Sequence, residues 1–179
     1  MQDYTDNAKK NGVVLIEKGK CQFCGADVEE GIKNCVDISN QGFEYQIDFL
    51  DFNNLIYKFL SVDAHTLQHS EIHGRWNNHL HLTRLHLIFK YKIKWTHQST
   101  LKLSKSLNIY KKLHLDEHLT PPKPLERGLL SITDVVKKSK NEEEYKEMIK
   151  EWALEVYNCW ERHHKTVGKI AEQYINTSG

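Results

Sequence analysis

Apolar residues along the chain recur mostly at three- and four-residue spacings, the period of a helix with one buried face. Phe43, Ile47, Leu50, Asn54 and Tyr57 share such a face, with Phe49, Phe52 and Leu55 beside it and a break near Asp51–Asn54. Residues 61–70 continue the helical reading, which closes at Gly74. From Trp76, the positions Leu80, Leu82, Leu85, Ile88 and Phe89 predict a second long helix to about Lys90. Leu101, Leu103, Leu107 and Tyr110 predict another over 98–113, with Ser99 or Thr100 as its cap. Pro121, Pro122 and Pro124 then mark a loop, because each lacks a backbone donor and resists helix. A short helix follows (ITDVVKK), capped by Ser131 or Thr133. The last helix is predicted to run unbroken from Glu142 to about Tyr174, opened by Asn141 with Glu144 three residues on. Its stripe is Trp152, Val156, Cys159, His163, Val167, Ile170 and Tyr174.

Three stretches do not fit. Val13–Ile16 reads as a short strand leading into a cysteine-bearing segment, and Phe89–Trp95 alternates with period two, a strand signal. Residues 1–12 are polar and are expected to be disordered. The fold class is therefore mostly α: a helical bundle of about four main helices, one domain over 13–175, with a small cysteine-bearing segment at 20–36.

Charge changes this picture by its distribution. The chain of 179 residues is nearly neutral, at +1. Residues 1–71 carry a net −6, residues 72–115 carry nine Lys or Arg and no acid, and residues 116–179 carry −2. The basic block could meet nucleic acid or another polyanion. The reading preferred here is internal, with the block packed beside the acidic first third. No apolar run approaches the roughly 18 residues of a membrane span. The opening MQDYTDNAKK lacks the apolar stretch of a signal peptide, so a cytoplasmic protein is expected. Phosphate-binding glycine loops and the H-E-x-x-H pattern are absent from the sequence, which removes the nucleotide and zincin mechanisms.

The cysteines carry the most specific chemistry. Cys21-Gln22-Phe23-Cys24-Gly25 is a C-x-x-C-G knuckle, in which two thiolates two residues apart can turn onto one metal. The glycine gives the backbone freedom to bend beneath them. Cys35 follows eleven residues later, so zinc at Cys21, Cys24 and Cys35 needs one more ligand. His69 is the first choice, with His65, His73 and Cys159 as alternatives. A redox C-x-x-C needs a βαβ context that is not visible here. Three inert buried thiols are the remaining alternative.

The order C-x-x-C-G…C, then VDAHTLQH (Val62–His69), HLTRLHL (His81–Leu87), LSITDVV (Leu130–Val136) and EWALEVYNCWERHH (Glu151–His164) resembles a bacterial family of uncharacterised proteins, the domain of unknown function numbered 5946. The resemblance covers roughly residues 20–170 and implies a bacterial, intracellular protein without an assigned activity. The family usually shows Tyr where His65 stands and often Pro where Gln22 stands.

Histidine supplies a second constellation, eleven residues in all. His81 on the middle helix and His163 with His164 on the last helix form a candidate second metal site. That arrangement resembles the DinB/YfiT type of four-helix bundle, whose members hold a divalent metal with three His and include thiol transferases and hydrolases. In that type the paired His of the last helix stand four apart, whereas here they are adjacent. The alternative for inward-facing His81 and His163 is hydrogen bonding to Asp63, Gln68, Tyr157 or water. Two functions follow. The preferred one is a zinc-binding, non-catalytic module that meets a protein partner, or nucleic acid through residues 72–115. The other is a metal-dependent hydrolase or transferase with a His-ligated divalent ion.

Overall fold

Side chains that stop the backbone from fraying set where several helices begin. Thr96 Oγ1 accepts from the Ser99 N–H, and the Ser99 hydroxyl accepts from the Thr96 N–H. Ser131 and Asp134 make the same reciprocal pair, and the Asn141 side chain accepts from the Glu144 N–H at 3.0 Å.

The computed structural model describes residues 4–49 and 55–177, without the side chains of 42–49. The helices are α1 (Tyr4–Lys10), α2 (Gly31–Phe49), α3 (Leu55–Gln68), α4 (Arg75–Phe89), α5 (His97–Leu113), α6 (Ile132–Lys138), α7 (Glu142–Cys159) and α8 (His164–Asn176). No strand occurs among the described residues. Leu50 and Asn54, and the break expected near Asp51–Asn54, lie outside the described residues. The side chains of Phe43, Ile47 and Phe49 do too.

The bundle is built around α4. This helix packs against α3, α5, α7 and α8, while α3 also lies along α7 and α5 along α8. Leu60, Ala64 and Leu67 from α3 meet Leu82 and Leu85 from α4, with Trp152 and Val156 from α7 and Val167 and Ile170 from α8, all essentially solvent-free. Each large apolar side chain buried this way contributes about 1.5–3 kcal/mol. α2 packs on α6 to one side, and α1 rests on a 3₁₀ turn at Ser70–Ile72.

Four expectations change. The polar opening is helical from Tyr4, because Ala8 is buried against the fold and Asn11 Nδ2 donates to the Glu71 carbonyl at 2.7 Å. Val13–Ile16 is loop rather than strand. The alternating run after Phe89 is also loop: Lys92 takes a left-handed φ of +55°, which turns the chain so that the Ile93 N–H reaches the Leu87 carbonyl. The last helix is interrupted at Trp160 by a 3₁₀ turn at Glu161–His163, and α8 starts afresh at His164.

Candidate metal centre

The knuckle is formed by backbone bonds. The Cys21 N–H donates to the Ala26 carbonyl at 3.0 Å, and the Gly25 N–H donates to the Cys21 carbonyl at 2.9 Å. That tight return needs a left-handed residue after Cys24, and Gly25 has φ +75°. At the base of the loop the Gly19 N–H donates to the Glu29 carbonyl and the Gly31 N–H to the Gly19 carbonyl, at 2.7 and 3.0 Å. Gly31 has φ +54°, and a Cβ there would collide with the Ile16 carbonyl. α2 begins at this residue, which places Cys35 in its second turn.

The fourth group arrives from the far end of α3. His69 is the first residue beyond the helix, and its N–H still bonds the His65 carbonyl at 3.1 Å. Its ring Nδ1–H donates to the same carbonyl at 2.7 Å. This fixes the tautomer and leaves Nε2 facing the sulfurs, the arrangement that orients a metal-binding imidazole. Nε2 lies 3.4 Å from both Cys21 Sγ and Cys35 Sγ, and Cys24 Sγ lies 3.7 Å from Cys35 Sγ. The four ligand atoms all fall within 4.8 Å of one another, so the cluster could hold a metal ion. Cys21, Cys35 and His69 are fully buried, Cys24 is half-buried, and the Phe23 ring stands edge-on to His69.

The electrostatics suit a site that shares protons until a cation displaces them. Hydrogen bonds from Cys24 and Cys35 hold the Cys21 thiol well below its ordinary range, helped by His69. Hydrogen bonding to Cys21 and Cys24, with burial, pushes Cys35 upward. Burial alone would depress His69, but the charge of Cys24 and hydrogen bonding to Cys21 and Cys24 raise it to about 10.

A network unread in the sequence secures this end of α3. Gln68 Nε2 donates to the carbonyls of Arg127 and Leu130 at 3.1 and 2.8 Å, and its Oε1 accepts from Trp152 Nε1 at 3.0 Å. Arg127, itself buried, donates to the Gln68 carbonyl and grips the Glu71 carboxylate with both terminal nitrogens. Gln68 and Trp152 stand in segments quoted above, but nothing local pairs them with each other or with Arg127 and Glu71, and they meet only through the fold. The proline loop is pinned to the knuckle as well, by the Leu125 N–H on the Phe23 carbonyl at 2.8 Å.

The alternative ligands lie elsewhere. His65 stacks on His69 with ring centroids 4.1 Å apart and gives it only a carbonyl. His73 is carried past the 3₁₀ turn into a different cavity, and Cys159 closes α7 beside the proline loop.

His81, His163 and His164 are not brought together. His81 Nδ1 donates to Asp63 Oδ1 at 2.6 Å, one of the hydrogen-bonding outcomes considered above, and Arg84 clamps the same carboxylate. The interruption at Trp160 takes His163 off the stripe, and its Nε2 donates to the Thr120 carbonyl at 2.7 Å. His164 stacks on Tyr157 and donates to that residue's carbonyl at 3.0 Å. Among the described residues the cysteine–histidine cluster is the one group with ligand atoms convergent enough for a metal.

In the basic block, Arg84 pairs with an acid of the first third, Asp63. Lys90, Lys92, Lys94, Lys105, Lys111 and Lys112 are exposed and enter none of the ion pairs among the described residues. No described helix is long and apolar enough to cross a membrane.

Fold and site thus define a helical protein with a Cys₃His cluster joining its N-terminal knuckle to the bundle. Residues 19–161 match the model of a family of unknown function, DUF5946, and the chain belongs to that family. The match contains all four clustered residues and ends before His163 and His164. No curated protein and no solved structure matches the chain.

Proposed function

We propose that Cys21, Cys24, Cys35 and His69 hold one structural zinc ion, and that the chain is a non-catalytic binding module. The observation that carries this reading is the spacing of the ligand atoms. Four ligands on a tetrahedron with zinc–sulfur bonds of about 2.3 Å and a zinc–nitrogen bond of about 2.0 Å stand roughly 3.8 Å (sulfur to sulfur) and 3.5 Å (sulfur to nitrogen) apart. Cys24 and Cys35 stand 3.7 Å apart, His69 Nε2 stands 3.4 Å from Cys21 and from Cys35, and all four ligand atoms lie within 4.8 Å of one another. Three sulfurs and an imidazole are a zinc donor set, and four protein ligands leave no open position for substrate.

Zinc there supplies folding free energy to a segment with little apolar surface of its own. The knuckle contributes two thiolates, α2 one, and the end of α3 the imidazole. Chelation by EDTA should therefore lower the melting temperature, by roughly 10 °C if zinc had exceeded its Kd about a thousandfold. An unchanged melting temperature with the metal gone would reject a structural role.

The binding reading rests on exposed lysines. Six exposed cations that enter none of the ion pairs among the described residues suit an anionic partner surface. Replacing Lys90, Lys92 and Lys94 with Gln should weaken binding to a polyanion such as RNA and flatten its salt dependence. Equal, salt-insensitive binding would remove this surface from the account.

A further inference from the structure

One sulfur of the cluster is open where the other ligands are closed. Cys21, Cys35 and His69 are 1%, 0% and 0% exposed, whereas Cys24 is only half-buried. Cys24 helps to line a cavity of about 390 Å³ between the knuckle and α6, together with Asp27, Ser131, Thr133, Asp134 and Lys137. A space of that size admits small solutes, since a water molecule takes up about 30 Å³.

Two further features decide what an open sulfur does at this place. A metal site keeps its ligand cysteines as thiolates, and the thiolate is the form that reacts with peroxide. The next sulfur is also in position: Cys35 Sγ lies 3.7 Å from Cys24 Sγ. The pair has to close by about 1.7 Å to reach the roughly 2.0 Å of a disulfide.

Cys159 is the contrast. It too is half-buried, and it lines a cavity of its own beside the proline loop. No described sulfur lies in contact with it, and burial together with the Glu155 charge pushes its thiol up. Exposure without a thiolate or a neighbouring sulfur leaves a cysteine slow to oxidise and unable to form a disulfide within the chain.

The lining sets the class of oxidant. Asp27 and Asp134 stand against the single cation Lys137, a balance that favours a neutral molecule over an anion. Hydrogen peroxide is both neutral and small.

We propose, on the structural zinc reading above, that Cys24 is an oxidation site for hydrogen peroxide and that Cys35 resolves it as a Cys24–Cys35 disulfide, with loss of the metal. The Cys24 thiolate attacks one peroxide oxygen: an S–O bond forms, the O–O bond breaks and hydroxide leaves. The Cys35 thiolate then attacks the Cys24 sulfur, forming the S–S bond as the S–O bond breaks and a second hydroxide leaves. Two thiolates are oxidised to one disulfide, and one peroxide, with two protons from solvent, is reduced to two waters. Cys21 and His69 remain, two ligands where a structural zinc needs four.

The test takes the full chain with its metal content measured first, adds hydrogen peroxide beside a zinc-sensitive dye, and maps disulfides by peptide mass spectrometry. One zinc per chain should appear in solution as the Cys24–Cys35 bond forms, and dithiothreitol with added zinc should reverse both. Cys24→His keeps a fourth ligand but no thiol, so it should hold zinc and lose the release. Should that variant not fold, brief exposure of the unaltered chain to N-ethylmaleimide keeps the test open: Cys24 should carry label before Cys21 and Cys35. Cys159→Ser should release zinc as the unaltered chain does. A chain without zinc before peroxide overturns the structural reading as well, whereas a chain that holds zinc and keeps it under peroxide overturns this proposal alone. First oxidation at Cys21, Cys35 or Cys159, or a disulfide that omits Cys24 or Cys35, would also overturn it.

Discussion

Asp63 is the residue on which the centre of the bundle depends most. It is fully buried, accepts from His81 and holds Arg84, whose guanidinium also lies 4.3 Å from the Phe59 ring centroid. Asp63→Asn leaves the Arg84 charge buried without its counterion, so urea unfolding should show a loss of about 3–5 kcal/mol. The double variant Asp63→Asn/Arg84→Met should recover part of that loss, and strict additivity would contradict the pairing. Of the cysteine–histidine cluster, Cys21, Cys24 and Cys35 were legible because C-x-x-C-G and a nearby third cysteine are a local pattern. His69 was one of three histidines four residues apart, and sequence alone could rank them but not separate them. The fold separates them: α3 ends at Gln68, so His69 turns to the sulfurs while the following 3₁₀ turn carries His73 away. Asp63 was readable only as one possible partner among several, because its bond to His81 spans 18 residues and depends on how α3 meets α4.

At the scale of elements, the amphipathic stripes placed α3, α5 and α7 well, and the misses have physical reasons. α4 was legible from its leucines, yet it is buried on nearly every side and carries His79, His81, Thr83, Arg84 and His86 into the core. Those groups are tolerated where neighbours satisfy them: Thr83 Oγ1 donates to the His79 carbonyl and the Tyr157 hydroxyl bonds His86 Nδ1. The cap of α5 is Thr96 rather than Ser99 or Thr100, since Ser99 serves as the returning partner of a capping box. Thr96→Ala should cost about 0.5–2 kcal/mol in chemical denaturation. A cost near zero would mean that the cap bonds do not form in solution. The interruption between α7 and α8 was invisible, because the apolar spacing continues through Trp160 with neither Gly nor Pro to mark a stop. Its consequence is functional: it takes His163 out of the register that would have pointed it inward.

For the whole molecule, buried histidines set the response to acid. Burial holds His79 and His86 each down to about 4, whereas unfolded histidines titrate near 6.5. Between those values the unfolded chain binds more protons than the folded one, so stability is full above about 6.5 and is lost as pH falls toward about 4. His79→Gln should flatten part of that slope in melts taken across the window, and an unchanged slope would show that His79 is charged in the folded chain. The knuckle, α2 and α3 converge on one cluster, and the proposed zinc ion would join them. Metal analysis of the purified chain beside Cys35→Ser and His81→Ala tests it most directly. One zinc per chain is expected, lost in Cys35→Ser and retained in His81→Ala. A chain without zinc, or a Cys35→Ser variant that keeps its full complement, would contradict it.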